Sequence, residues 1–255
     1  ESLTRGSFTF GEFYARRVRR IFPALLLVLA AVFAIGWFVL LADEFEQLGR
    51  HIGGSAVFAS NIVLWRESGY FDRVAETKPL LHLWSLAIEE QFYLTWPLLL
   101  WASSRWRAGA ALLIVCGGLA SFALNIHDIA VAPTVAFYSP LTRSWELMAG
   151  SLLAWLTLKG ARPGTGAANA LSVAGASLLA YAIVRISREV AFPGAWAAIP
   201  VVGAVCVIAA GHEAWVNRLL LSRRVLVWIG LISFPLYLWH WPLLSFLSIV
   251  EGAAP

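Results

Sequence analysis

The stretch IFPALLLVLAAVFAIGWFVLL, residues 21–41, contains no charged side chain. An α-helix of this length is about 31 Å long, which matches the roughly 30 Å hydrocarbon core of a bilayer. These residues therefore predict a membrane-spanning helix.

Six further stretches are long and apolar enough to predict spans: 80–101, 108–126, 140–158, 167–184, 192–210 and 225–250. Basic clusters lie beside several of them, as expected on the cytoplasmic side of a membrane. If the clusters at 16–20 and 105–107 are both cytoplasmic, then 42–79 begins and ends on the outer side. The shorter apolar segment 44–65 is therefore predicted as an interfacial or re-entrant helix.

Composition favours the same fold class. The chain has 60% hydrophobic and 13% charged residues, whereas soluble domains carry about 25% charge. The net charge of +4 is read as a topology signal rather than as a nucleic-acid surface. Cys116 and Cys206 lie in apolar stretches without metal-ligand spacing. We predict an all-α polytopic transmembrane helical bundle of about seven spans and one membrane domain over 1–255, with no metal.

Charges at membrane depth are costly and by default indicate a functional site. The segment 80–101 carries Glu89 and Glu90 at its centre. On a helix, Glu89 shares a face with Ser85 and Tyr93, and Glu90 is turned about 100° away. Either carboxylate is a candidate base or a group that orients a histidine. The alternative is an ion pair with Arg143 or another buried arginine that locks two helices.

Other polar residues in the apolar stretches are weaker candidates. His82, near the predicted outer interface, is read as a base or as a polar residue at the headgroups. Arg143 and Glu146 have the i,i+3 spacing that lets them pair with each other. His240 stands between two tryptophans and is expected to face the bundle interior, in a structural or a site role.

The run Arg16-Arg17-Val18-Arg19-Arg20 is denser than topology requires. Guanidinium groups bind phosphates through paired, charge-assisted hydrogen bonds. Arg16, Arg17 and Arg20 therefore predict a site for a multiply phosphorylated ligand, with lipid phosphate contact as the alternative.

Several motifs, taken together, resemble the signature of the acyltransferase-3 family of bacterial membrane O-acyltransferases. They are Phe13-Tyr14-x-Arg16-Arg17-x-x-Arg20-Ile21-x-Pro23, Tyr70-Phe71-Asp72, the block 79–93, Arg143-x-Trp145-Glu146-Leu147 and the block 237–242. The last block and Phe192-Pro193-Gly194 are most similar to the subgroup that modifies lipopolysaccharide O-antigen or peptidoglycan, often with a fused SGNH-type esterase domain.

The resemblance implies a function and a donor. Family members pass an acyl group, usually acetyl, from acyl-coenzyme A across the bacterial inner membrane to a hydroxyl of a cell-envelope carbohydrate: lipopolysaccharide O-antigen, peptidoglycan or exopolysaccharide. By motif, Arg17 and Arg20 engage the phosphates of coenzyme A, and Glu89 is the intramembrane carboxylate. The candidate catalytic residues are thus Glu89, His82 and Glu90. The implied partners are a carbohydrate and membrane lipid, without nucleic acid.

The resemblance also implies about ten spans, the first of which holds the histidine that the family uses for catalysis. We expect two spans before Glu1 and one after Pro255, with or without an SGNH-type domain, and an inactive fragment without them. The rival interpretations are a transporter or flippase without chemistry and a structural subunit of an envelope complex. Dependence of the activity on coenzyme A distinguishes an acyltransferase from a transporter. A structural subunit predicts that Glu89→Gln leaves function intact.

Overall fold

The computed structural model describes residues 8–68, 77–103, 105–106, 108–187 and 189–252. Within these ranges all regular secondary structure is helical, which confirms the all-α fold class. The helices are α1 Phe10–Val39, α2 Ala42–Ala56, α3 Ser60–Glu67, α4 Leu83–Ser103, α5 Gly109–Val131, α6 Pro133–Tyr138, α7 Pro140–Leu158, α8 Thr165–Arg185, α9 Ala198–Ala210 and α10 Arg224–Glu251. The motif Tyr70-Phe71-Asp72, together with Arg107 and Arg188, lies outside the described residues.

Four helices, α1, α5, α8 and α10, are long and apolar enough to cross a membrane. Each of the seven predicted spans overlaps one of these helices, and α4, α7 and α9 are the three that are shorter or more polar. Large apolar side chains such as Phe38, Trp37 and Ile183 are exposed on the long helices. Such exposure suits a lipid environment, where an apolar exterior is favourable. The chain is therefore a multi-pass membrane protein.

Two predicted segments differ in detail from the structure. The predicted span 192–210 is helical only from Ala195, because Pro193 and Gly194 form a turn in which Gly194 has a φ of 37°. The predicted interfacial helix 44–65 consists of two helices, α2 and α3. Phe58, in the turn between them, has a φ of 55°, which is uncommon for a residue with a side chain.

The chain forms two compact units. The first unit is Glu1–Pro97 with Ile232–Pro255, and the second unit is Leu98–Leu231. The single membrane domain over 1–255 stays a prediction.

The first unit has a core built on one face of α1. Leu25, Val28 and Val32 are fully buried, and their spacing of three and four residues places them on one side of the helix. They belong to one apolar cluster with Leu48 of α2 and Leu238 of α10. The cluster fixes α1, α2, α4 and α10, the helices that also carry the polar residues described below.

The second unit relies on close helix contacts. Gly175 of α8 lies against Gly203 of α9, so that a Cβ added to Gly175 would come within 2.7 Å of the Gly203 carbonyl oxygen. Small residues at such contacts let membrane helices approach closely. Ser121 of α5 donates to the carbonyl oxygen of Leu141 and accepts from the backbone N–H of Trp145 at 3.0 Å, which joins α5 to α7.

Candidate functional site

A cavity of about 530 Å³ lies inside the first unit, between α1, α4 and α10. Ligand sites in proteins are typically about 300–1,000 Å³. The structure thus brings the arginines predicted on α1 together with the carboxylates predicted on α4. The polar residues that line the cavity are Arg16, Arg17, Arg20, Glu89, Glu90, Tyr93, Ser233 and Tyr237.

Arg17 and Glu90 form a partly buried ion pair in the cavity wall. Arg17 donates through Nε to Glu90 Oε2 at 3.1 Å and through Nη2 to Glu90 Oε1. The guanidinium carbon also lies 3.4 Å from the centre of the Tyr93 ring, a close cation–π contact. The helix-locking ion pair considered for Glu90 is therefore present, with Arg17 as its partner.

Arg16 and Arg20 are exposed on the same face of α1. Arg16 makes only a loose pair with Glu12 at 3.6 Å, in which both side chains are exposed. No ion pair involves Arg20 among the residues that the structure describes. Because Glu90 neutralises Arg17, the positive charge available to a ligand in the cavity comes mainly from Arg16 and Arg20.

Glu89 is exposed to the cavity rather than paired. It has no ion-pair partner within the described part of the chain, although it is adjacent to Glu90. The difference follows from helix geometry, since a step of one residue turns a side chain by about 100°. One glutamate thus holds α1 against α4, while the other remains available to a ligand.

His82 lies in the turn just before α4 and is buried against α10. Its ring packs edge-on against Tyr237 and His240, with centroids 5.1 Å and 5.5 Å away. The Tyr237 hydroxyl donates to the His82 carbonyl oxygen at 2.8 Å and lies 2.9 Å from Ser85 Oγ. Sequence reasoning missed Tyr237, although its place three residues before His240 puts both on one helix face.

Arg143 and Glu146 lie in the second unit and pair with each other at 3.0 Å. The Arg143 guanidinium is also 5.4 Å from the Phe192 ring. Asn125 donates to the Gly194 carbonyl oxygen at 3.0 Å, which fixes the turn before α9. The predicted pair therefore occurs in a polar cluster that connects α7 to the turn at 192–194.

A further polar cluster, which sequence reasoning missed, joins α2, α3 and the segment before α4. Glu67 accepts from His51 Nε2 at 2.7 Å and from Gln47 Nε2 at 2.9 Å, and Lys78 Nζ lies 3.8 Å away. Burial lowers the pKa of His51 and outweighs the opposing effect of Glu67. Burial by itself would raise the pKa of Glu67, but hydrogen bonds and positive charge from its neighbours hold that pKa below its usual value. The cluster therefore contains a neutral histidine and an ionised carboxylate near neutral pH.

No group of three or more His, Cys, Asp or Glu within the described ranges is arranged to hold a metal ion.

The helices define an all-α membrane protein whose first unit contains a cavity lined by exposed arginines and by Glu89. The chain belongs to the acyltransferase-3 family: the family model, described as an acyltransferase domain, matches residues 3–253. This match confirms the family predicted from the motifs.

Curated relatives agree with the family. Peptidoglycan O-acetyltransferase OatA of Listeria monocytogenes is 30% identical over 258 residues, which cover 94% of this chain. YrhL of Bacillus subtilis, whose name gives the same activity provisionally, is 30% identical over 260 residues, or 95% of this chain. An uncharacterized protein of Haemophilus influenzae is 36% identical over 161 residues, or 60% of this chain.

The chain spans 40% of the length of the Listeria and Bacillus relatives and 65% of that of the Haemophilus relative. No solved structure matches the chain.

Proposed function

We propose that the protein transfers an acyl group, most simply acetyl, from acyl-coenzyme A to a hydroxyl of a cell-envelope carbohydrate across the bacterial inner membrane. The observation that carries the proposal is the cavity in which the exposed Arg16 and Arg20 lie beside Glu89, a carboxylate without an ion-pair partner among the described residues. Membership of an acyltransferase family and the name of the Listeria relative, a peptidoglycan O-acetyltransferase, support the reaction class.

The donor end of the site is the face of α1 that carries Arg16 and Arg20, called the arginine face below. Coenzyme A carries several phosphate groups, which guanidinium groups bind through paired hydrogen bonds. The family resemblance assigns this task to Arg17 and Arg20. The geometry favours Arg16 and Arg20 as the direct contacts, because Glu90 and Tyr93 already hold Arg17. Arg17 then holds α1 against α4 through its pair with Glu90.

The reacting end requires proton transfer. The acceptor hydroxyl loses its proton, its oxygen bonds to the acyl carbon, the thioester C–S bond breaks, and the coenzyme A thiolate takes up a proton. Glu89 can orient or deprotonate a group in the cavity, because its carboxylate is open and near the arginines that attract the donor. The role of Glu90 is to balance the charge of Arg17.

The test uses the protein expressed from its natural gene, in inverted membrane vesicles supplied with labelled acetyl-coenzyme A. We expect Arg16→Ala/Arg20→Ala to raise KM for the donor by about 100-fold, since each lost charge-assisted bond is worth about 1.5 kcal/mol or more and 1.4 kcal/mol is tenfold. We expect Glu89→Gln to lower the turnover number with little change in KM.

The matched control is Arg19→Ala, because Arg19 belongs to the same basic run but does not line the cavity. It should stay within about twofold of wild type. If the double variant behaves like Arg19→Ala, the arginine face is not the donor site. If wild-type vesicles move carbohydrate but incorporate no label, the protein is a transporter.

A further inference from the structure

The helices α2 and α3 form a hairpin whose turn, residues 57–59, packs against α1. At the other end of the hairpin, Glu67 of α3 accepts a hydrogen bond from His51 of α2 at 2.7 Å, so the two helices lie side by side. The ring of Phe58 in the turn packs edge-on against Phe22 of α1, with ring centroids 5.4 Å apart. The turn therefore lies beside the apolar stretch of α1, where water competes little for hydrogen bonds.

Gln91 of α4 binds this turn with its whole side-chain amide. Its Nε2 donates to the Phe58 carbonyl oxygen at 2.7 Å and to Asn61 Oδ1 at 2.9 Å, and its Oε1 accepts from Asn61 Nδ2 at 3.4 Å. Asn61 is fully buried. Ser60 Oγ adds a further bond from the hairpin to α4, since it donates to the Leu83 carbonyl oxygen at 2.8 Å. A buried polar network that is satisfied in this way rigidifies the helices that it joins.

Gln91 directly follows the two glutamates of α4. Because each residue of a helix is turned by about 100° from the one before, the three side chains have different neighbours: Glu89 faces the cavity, Glu90 pairs with Arg17, and Gln91 binds the hairpin. The Arg17 side chain is long and 25% exposed, whereas Gln91 is bonded to a main-chain carbonyl of a packed turn. The bond from Gln91 is therefore the firmer constraint on the rotation of α4 about its axis.

We infer that Gln91 is a positioning residue that sets the direction of Glu89 into the cavity, an inference that rests on the proposed function. A helix with its side chains has a radius of about 5–6 Å, so a rotation of α4 by about 10° moves the end of a side chain by about 1 Å. A misplacement of this size lowers a rate by about 100-fold. Gln91 does not line the cavity, so its effect on transfer passes through Glu89.

The experiment is a double-mutant cycle of wild type, Gln91→Leu, Glu89→Gln and the double variant. The natural full-length protein is assayed in inverted vesicles with labelled acetyl-coenzyme A. We expect Gln91→Leu to lower the turnover number by about 10- to 100-fold, with KM for the donor within about twofold, because Arg16 and Arg20 lie on α1. In the Glu89→Gln background the same change should cost less than about threefold, since residues that act as a unit have non-additive effects.

The matched control is Thr95→Val. Thr95 lies one turn beyond Gln91 on the same face of α4, but its hydroxyl donates to carbonyl oxygens of α4 itself, those of Gln91 at 3.1 Å and Phe92 at 3.2 Å. This variant should keep the turnover number within about twofold of wild type. If Gln91→Leu does not fold, Asn61→Ser breaks the same contact from the hairpin side, and the cycle with Glu89→Gln is scored on that variant.

Two results would overturn the inference. The first is a folded Gln91→Leu protein that transfers at the wild-type rate. The second is an equal loss with and without the Glu89 carboxylate, which is the result expected if Gln91 only stabilises the fold. Failure of the proposed function looks different, because wild type itself would then transfer nothing from acetyl-coenzyme A.

Discussion

Replacing Glu90 by Gln removes a negative charge from a side chain that is 9% exposed and keeps nearly its shape. Breaking a buried ion pair by removing one partner costs about 3–5 kcal/mol. Arg17 is still 25% exposed, so solvent screens part of its charge, and we expect a loss of about 2–3 kcal/mol. For a chain of this size that loss lowers the midpoint of thermal unfolding by about 5–10 °C.

The assay is thermal unfolding of the purified protein in detergent, followed by tryptophan fluorescence. Glu12→Gln is the matched control, because it breaks the exposed pair between Glu12 and Arg16 on the same helix and should change the midpoint by less than about 2 °C. Arg17→Met/Glu90→Met should recover most of the loss, since apolar residues can replace a buried pair. A Glu90→Gln midpoint equal to that of Glu12→Gln would refute the claim that this pair holds α1 against α4.

Two further predictions concern stability. Folding lowers the pKa of both His51 and Glu67. Each group therefore contributes stability that is present above its unfolded pKa and is lost as the pH falls. The unfolding midpoint should be lower at pH 5 than at pH 7.5, and His51→Gln should reduce this difference. An unchanged difference would show that His51 is not its source. Gly175→Ala should lower the free energy of unfolding by about 1–3 kcal/mol, because the added Cβ would meet the backbone of α9. Gly166→Ala on the same helix adds its Cβ in open space and should be neutral or slightly stabilising. Equal unfolding midpoints for the two variants would contradict the close contact of α8 with α9.

The sequence predicts the long helices well, because their apolar residues run for a bilayer's length without interruption. The segment 21–41 lies on α1, and its buried face follows the spacing of Leu25, Val28 and Val32. Polar interruptions were harder to interpret. The break between α2 and α3 falls at Phe58, whose left-handed backbone is not indicated by its residue type, and Gly54 allows the close approach to Val63 on α3.

The sequence predicts the individual residues of the cavity but not which of them form ion pairs with each other. Arg17 and Glu90 are 73 positions apart, and their partnership depends on how α1 packs against α4. The sequence does not distinguish the two adjacent glutamates. Their different directions on the helix place Glu90 against Arg17, whereas Glu89 faces the cavity. His82 could be suspected from its motif, but its packing against Tyr237 and His240, which lie about 155 residues further along the chain, depends on the tertiary fold.

The central claim is that the donor enters from the cytoplasmic side and that the acyl group leaves on the other. The most direct test supplies labelled acetyl-coenzyme A to sealed vesicles of opposite orientation that contain the natural full-length protein. We predict label on carbohydrate inside inverted vesicles and none in sealed right-side-out vesicles, where the donor cannot reach the arginine face. Equal labelling in both orientations, or label only in right-side-out vesicles, would contradict the account.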